Sequence, residues 1–323
     1  MNFSDKPPAI FVMGPTASGK TDLAISLSQH LPVDIISVDS VQVYKQFDIG
    51  SAKPDPETLS KHPHKLVNIK DPAEIYSVAD FIKDAKKHMS EISSEGRVPL
   101  LVGGTILYFR KLLDGLLNLP QTDNSMREKI YERASKEGWP VLYKELMQID
   151  PKSASKIHPN HSQRIQRALE VYYSTGMPLS EIQARSELFR IEDDYNIVQI
   201  SLIPSNRDLL HQRIEDRFNK MMLDGFEAEA KRIYLRKDLP SNLPVLKSAG
   251  YRQLWRYFDG EIELEEAIER GIIATRQLAK RQITWLRSWS RSNQIHLDNG
   301  EHFFSTDNMC EQTLKILGDS SIL

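Results

Sequence analysis

Residues Gly14-Pro15-Thr16-Ala17-Ser18-Gly19-Lys20-Thr21 fit the pattern G-x-x-x-x-G-K-[ST], a spacing suited to cradling phosphate groups. Gly14 and Gly19 let the backbone wrap closely around an anion, and the amides of a following helix N-terminus then face it. Lys20 adds a positive charge, and the Thr21 hydroxyl is a ligand for Mg²⁺. A second group follows at Asp39-Ser40-Val41-Gln42. A carboxylate there can hold a Mg²⁺ water, act as a general base or cap a turn, and residue type alone leaves all three open. Gly103-Gly104-Thr105 is a third group that places little bulk near a bound ligand.

Such groups converge only if strands and helices alternate correctly. The apolar runs at 9–13, 34–38, 99–102 and 197–202 read as buried strands, and 295–297 as a last short one. Leu23, Ala24, Leu27 and Leu31 recur at helical spacing directly after the phosphate loop. The rhythm is βαβ, so the expected fold is α/β, a P-loop-type parallel sheet with a helical insertion. In such sheets ligands bind beyond the carboxyl ends of the strands, where all three groups fall. From 120 to 194 the pattern changes to helices at 125–137, 141–149 and 164–174 with no convincing strand. The expected organisation is core 1–119, insertion 120–194 and core 195–323. One long helix is predicted over 206–236.

Composition narrows the class. The 323 residues are 40% hydrophobic and 27% charged, with a net charge of −2, so any nucleic-acid surface must come from local clustering. Cys310 is alone, which excludes an internal disulfide framework and points to a reducing cytoplasm. No signal core and no run of 18 apolar residues is present, so a soluble cytoplasmic protein without membrane association is expected. His158 and His161 have no metal-ligand spacing with a partner.

Five separated blocks, 14–21, 39–54, 102–108, 213–225, and 250–252 with 280–287, occur in one order along nearly the whole chain. In these the chain resembles the tRNA dimethylallyltransferases, also called isopentenyl-tRNA transferases. The resemblance implies transfer of a dimethylallyl group from dimethylallyl diphosphate to N6 of the adenosine 3′ of the anticodon. The tRNAs would be those reading codons that begin with U, and the insertion would grip the anticodon stem-loop. It further implies Mg²⁺ at Thr21, diphosphate on residues 14–21, Asp39 as general base, and Lys20, Thr105 and Arg217 as catalytic partners. For tRNA contact it implies Asp39, Ser40, Val41, Gln42, Thr105, Arg127, Gln163, Arg164, Ile165, Gln166 and Arg167. Lys247, Gly250, Tyr251, Arg252, Lys280, Arg281 and Arg287 complete that set. A monomer is expected.

The residues make chemical sense in this light. Diphosphate leaves with charge accumulating on its oxygens, which loop amides, Lys20, Mg²⁺ and an Arg would neutralise. Adenine N6 is a poor nucleophile, and a carboxylate that takes its proton as the C–N bond forms would help. The base must leave its stack to reach the phosphate pocket. Basic stretches without acids lie at 151–169 (Lys152, Lys156, Arg164, Arg167) and 271–291, where Arg276, Lys280, Arg287 and Arg291 share one helical face. Three positions depart from the family pattern: Lys65 after His64, Ile106 after Thr105 near the prenyl tail, and Ser51. A P-loop nucleotide or small-molecule kinase is the alternative, since the same loop binds ATP in kinases. A regulatory GTPase is weaker, because no Asn-Lys-x-Asp segment occurs.

Overall fold

The computed structural model describes residues 6–115, 124–185, 190–239 and 244–320. The chain divides into two compact units, Asp114–Phe189 and the core formed by Met1–Leu113 with Arg190–Leu323. The sequence placed the insertion at 120–194, and its first boundary lies outside the described residues. At the other end Ile191 and Tyr195 are buried in the larger cluster of the core, which therefore starts again near Arg190.

The core begins with β1 (Pro8–Met13), α1 (Lys20–His30), β2 (Val33–Val38), α2 (Pro56–Lys61), β3 (His64–Lys65), α3 (Val78–Ser94), β4 (Val98–Gly103) and α4 (Ile106–Asp114). β1 is buried along its length because alternate residues enter different clusters. Ala9, Phe11 and Met13 pack on one face of the sheet, and Ile10 and Val12 on the other. That is why the strand reads as a continuous apolar run. α1 starts directly from Gly19 at φ 82°, a left-handed turn that glycine adopts without strain. α3 starts at a capping box in which Ser77 and Asp80 satisfy each other's backbone amides.

The insertion holds α5 (Asn124–Glu137), α6 (Trp139–Ile149), α7 (Pro151–Ala154), α8 (Ser162–Thr175) and α9 (Leu179–Arg185) around its own core of Ile130, Leu142, Leu146, Ile165 and Leu169. The buried Asp150 carboxylate joins its helices, accepting from Ser153 N at 3.0 Å and from Ser180 Oγ at 2.6 Å.

The core resumes with β5 (Asn196–Ile203), α10 (Arg207–Leu223), α11 (Phe226–Tyr234), α12 (Tyr251–Phe258), α13 (Leu264–Arg287), β6 (Asn293–His296) and α14 (Thr306–Asp319). The single helix expected over 206–236 is two helices. Gly225 sits at φ 99° and ends the first, so that Phe226 turns in against Phe218 and Tyr251. β3 has no signal in the sequence, being two residues long.

The six strands form one parallel sheet in the order β3-β2-β4-β1-β5-β6. Val38, Met13 and Ser201 lie level with one another through the register of β2, β4, β1 and β5, so the chain leaves those strands side by side. Gly103 makes this approach possible. A Cβ there would lie 2.1 Å from the Val38 carbonyl oxygen, and the Gly103 carbonyl accepts from Gly14 N at 3.3 Å. Gly103→Ala is therefore expected to destabilise the protein by about 1–3 kcal/mol, measured as a lowered denaturant midpoint; an unchanged midpoint would refute the tight contact.

Candidate active site

Three strand exits supply the site. The phosphate loop follows β1, Asp39 follows β2 and Gly104 follows β4, and together with α10 and α13 they line a cavity of about 170 Å³. Thr16, Lys20, Thr21, Asp39 and Arg217 give it polar groups, while Val102, Ile214, Phe218, Met221 and Leu278 give it apolar ones. Outside the loop a second cavity of about 690 Å³ is lined by residues 17–22, Lys53, Arg213, Arg217 and Lys220.

Lys20 folds back on its own loop, donating to the Pro15 carbonyl at 2.6 Å and the Ser18 hydroxyl at 3.4 Å. Burial, reinforced by the neighbouring Arg217 charge, pushes its amine down to about 7, with Asp39 pulling the other way. Arg217 donates to the Thr16 hydroxyl. Burial and Arg213 push its guanidinium down to about 10, so it stays charged at neutral pH. Asp39 Oδ1 accepts from Val41 N at 2.8 Å and Gln42 N at 3.2 Å, an arrangement that leaves Oδ2 for a ligand. Burial raises the Asp39 carboxyl above its ordinary value, against those amides and the charges of Lys20 and Arg217. A carboxyl so placed is a stronger proton acceptor than one in water. The Thr21 hydroxyl at the head of α1 is a hard oxygen donor that fits Mg²⁺ with its remaining positions filled by water and ligand oxygens.

Several positioning groups went unread in the sequence. Gln282 on α13 accepts from Thr16 N at 2.9 Å through Oε1 and donates to the Gly104 carbonyl at 2.8 Å through Nε2, joining two of the loops. Its signal was available: it shares the buried face of α13 with Ala279, Ile283 and Leu286, and a polar residue there needs partners. Glu229, buried on α11, accepts from the amides of Asp48, Ile49 and Gly50 at 3.0, 2.7 and 3.0 Å and from the Tyr251 hydroxyl at 2.6 Å. It holds the outer wall, where Gln42 Nε2 donates to the carbonyls of Ser51 and Ala52.

The other expected residues scatter. Thr105 accepts from Ser40 N at 3.1 Å and lies outside the lining of the cavity. Gly250 and Tyr251 belong to the core: Tyr251 is fully buried, and Gly250, at φ 89°, faces the Phe226 ring. Ile106 is likewise a core residue and does not shape the cavity wall. In the insertion, Ile165 is buried, and the buried Glu170 gathers Arg127 at 3.1 Å, Gln166 at 3.0 Å and Arg167 at 3.5 Å. Gln163 and Arg164 are exposed. The basic face expected on α13 is shorter than its spacing suggested. Arg276 is paired with Glu215 at 2.6 Å, and Arg291, beyond the helix, with Glu192 at 3.2 Å. Lys280, Arg281 and Arg287 are exposed. Arg281 lines a separate groove of about 710 Å³ with Lys247, Arg252, Arg256 and Arg270.

The IPP transferase family model matches residues 42–289. The chain belongs to the IPP transferase family. The family match starts after the phosphate loop, but full-length relatives carry it across that region. The chain is 35% identical to the tRNA isopentenylpyrophosphate transferase of Bacillus halodurans, covering 98% of this chain and 97% of that one with a TM-score of 0.70. The tRNA delta(2)-isopentenylpyrophosphate transferase of Staphylococcus epidermidis is 30% identical, over 98% and 100%, at 0.66. A eukaryotic dimethylallyltransferase acting on tRNA is 26% identical, over 97% and 80%, at 0.78.

The depressed Lys20 amine has a measurable consequence. Between about pH 7 and the usual lysine value of 10.5 the unfolded chain holds a proton that the folded site has released, so this group makes stability rise with pH across that window. An anion at Lys20 favours the charged amine. Binding of inorganic pyrophosphate at pH 8 is therefore expected to take up more protons than binding to Lys20→Met, read by calorimetry in buffers of different ionisation enthalpy. Equal uptake in both proteins would disprove the assignment.

Proposed function

We propose that the protein transfers a dimethylallyl group from dimethylallyl diphosphate to N6 of the adenosine 3′-adjacent to the anticodon, position 37, in tRNAs reading codons that begin with U. The observation that carries this reading is one cavity in which Lys20, Arg217 and Asp39 meet an apolar wall from α10 and α13, in a chain of the IPP transferase family. The charged groups suit a diphosphate, and Ile214, Phe218, Met221 and Leu278 suit the five-carbon tail. Solved relatives whose names state isopentenylpyrophosphate transfer or action on tRNA support the same reading, and nothing in them favours a kinase.

In this reading the N6–C1 bond forms as the C1–O bond to diphosphate breaks. Asp39 takes the N6 proton, while loop amides, Lys20 and Arg217 receive the charge developing on the leaving group. Mg²⁺, when bound at Thr21, supplies further charge neutralisation on the diphosphate oxygens. The groove of Lys247, Arg252 and Arg281, with exposed Lys280 and Arg287, offers basic surface for the anticodon stem-loop. No helix among the described residues is long and apolar enough to cross a membrane. A cytoplasmic monomer, with buried Cys310 kept reduced, completes the proposal.

Incubating the protein with dimethylallyl diphosphate, Mg²⁺ and bulk tRNA should yield prenylated adenosine in the digest, detected by mass; its absence would refute the reading. Asp39→Asn keeps the shape but cannot accept a proton. It is expected to slow the single-turnover rate by about 10²- to 10⁴-fold with donor affinity little changed. A rate recovered at high Mg²⁺ would make Asp39 a metal-shell residue instead. Reversing Lys280 and Arg281 to Glu should weaken tRNA binding and reduce its salt slope by about 1 for each phosphate that is no longer neutralised, leaving diphosphate binding intact. Unaltered binding would show those residues to be ordinary solvated surface.

A further inference from the structure

Among the described residues three buried side-chain atoms have no hydrogen-bond partner: His64 Nε2, Ser93 Oγ and Arg276 Nε. Only His64 lines the phosphate cavity. Its other ring nitrogen, Nδ1, lies 2.6 Å from the His62 carbonyl oxygen. A carbonyl only accepts, so Nδ1 carries the hydrogen, and Nε2 of the neutral ring presents a bare lone pair. Leaving a buried acceptor unmatched costs free energy that the fold alone does not recover.

The position of the ring limits what could match it. His64 stands opposite Ile35 in the β2–β3 ladder. Ser37, two residues further along β2 and on the same face, lines the cavity, as does Thr21 at the head of α1. The ring thus lines the same cavity as the hydroxyl assigned to the cation. Diphosphate oxygens are acceptors and cannot serve an acceptor. Lys20 of the loop donates to Pro15 and Ser18 and not to the imidazole. A donor that arrives with the ligand would match it. Imidazole is a poor direct ligand for a hard cation, but Mg²⁺ keeps several waters, and each is a polarised donor.

We propose that His64 Nε2 accepts a hydrogen bond from a water of the hydrated divalent cation that enters with the diphosphate, so that His64 is a positioning residue for the metal–diphosphate complex. The inference rests on the assignment of this cavity to a diphosphate and adds a residue and a contact to it. It also gives the strand pair β2–β3 a role, since β3 is the sheet's edge and holds the imidazole in register with the wall.

Calorimetry with inorganic pyrophosphate, with and without Mg²⁺, separates the possibilities. His64→Phe removes the acceptor at similar volume, and His64→Gln returns an oxygen acceptor. His64→Phe should weaken binding by about 5- to 10-fold with Mg²⁺ present and leave Mg²⁺-free binding unchanged, with His64→Gln recovering most of the loss. In the wild-type protein the ¹⁵N resonance of His64 Nε2 should shift to its hydrogen-bonded position only when Mg²⁺ and pyrophosphate are both added. Equal losses with and without Mg²⁺, or no loss together with no ¹⁵N shift, would overturn the inference. So would intact Mg²⁺–pyrophosphate binding with weakened tRNA binding, which would make the nucleic acid the donor. Wild-type protein that binds no pyrophosphate would remove the diphosphate reading itself, whereas normal wild-type binding with an indifferent His64→Phe variant removes this inference alone.

Discussion

Two cations and one carboxylate share a small, largely dehydrated space, and that crowding governs the rest of the structure. Burial pushes Lys20 and Arg217 below their ordinary values, the Arg217 charge adding to the fall of Lys20 and the Arg213 charge to that of Arg217, and Asp39 offsets only part of either. The cluster carries an excess positive charge whenever all three are ionised. An anion is what it lacks, and a site held in that condition has met the reorganisation cost of binding one in advance.

Such a cluster persists only if its surroundings are fixed. The loops that bring it together are short and leave level strand ends, but their tips are held by side chains from far along the chain. Gln282 ties the phosphate loop to the Gly104 loop. Glu229 commits its buried carboxylate to three successive amides and a tyrosine hydroxyl, without a cationic partner among those contacts. Removing either would leave backbone groups unpaired in the wall of the cavity, a larger penalty than the bonds themselves are worth.

What was legible in the sequence follows from range. The phosphate loop, the four central strands and the three longer helices of the insertion are written in contiguous residues, so periodicity and spacing recover them, while the short α7 and α9 went unread. Gly225 was visible, but its left-handed turn depends on Phe226 packing against Tyr251, which no local pattern contains. Tyr251 and Ile165 sit in segments expected to contact tRNA, yet their side chains are buried in the cores of their units. Likewise Arg276 and Arg291 have the right spacing for a basic face, and their acidic partners lie on other elements. Gln282 is the instructive miss, since a polar residue on an apolar helical face is a local anomaly with a distant cause.

The bond from Gln282 to Thr16 spans 266 positions of sequence. During synthesis the phosphate loop emerges early, along with β1 and α1, while the residue that braces it emerges near the end. Glu229 and Tyr251, which hold the opposite wall, also follow the insertion. A nascent chain therefore carries the whole phosphate-binding motif for most of its translation without a finished pocket around it. Premature termination before α13 would release a fragment with the motif and no braced site, so binding competence is delayed until nearly the full chain has been made.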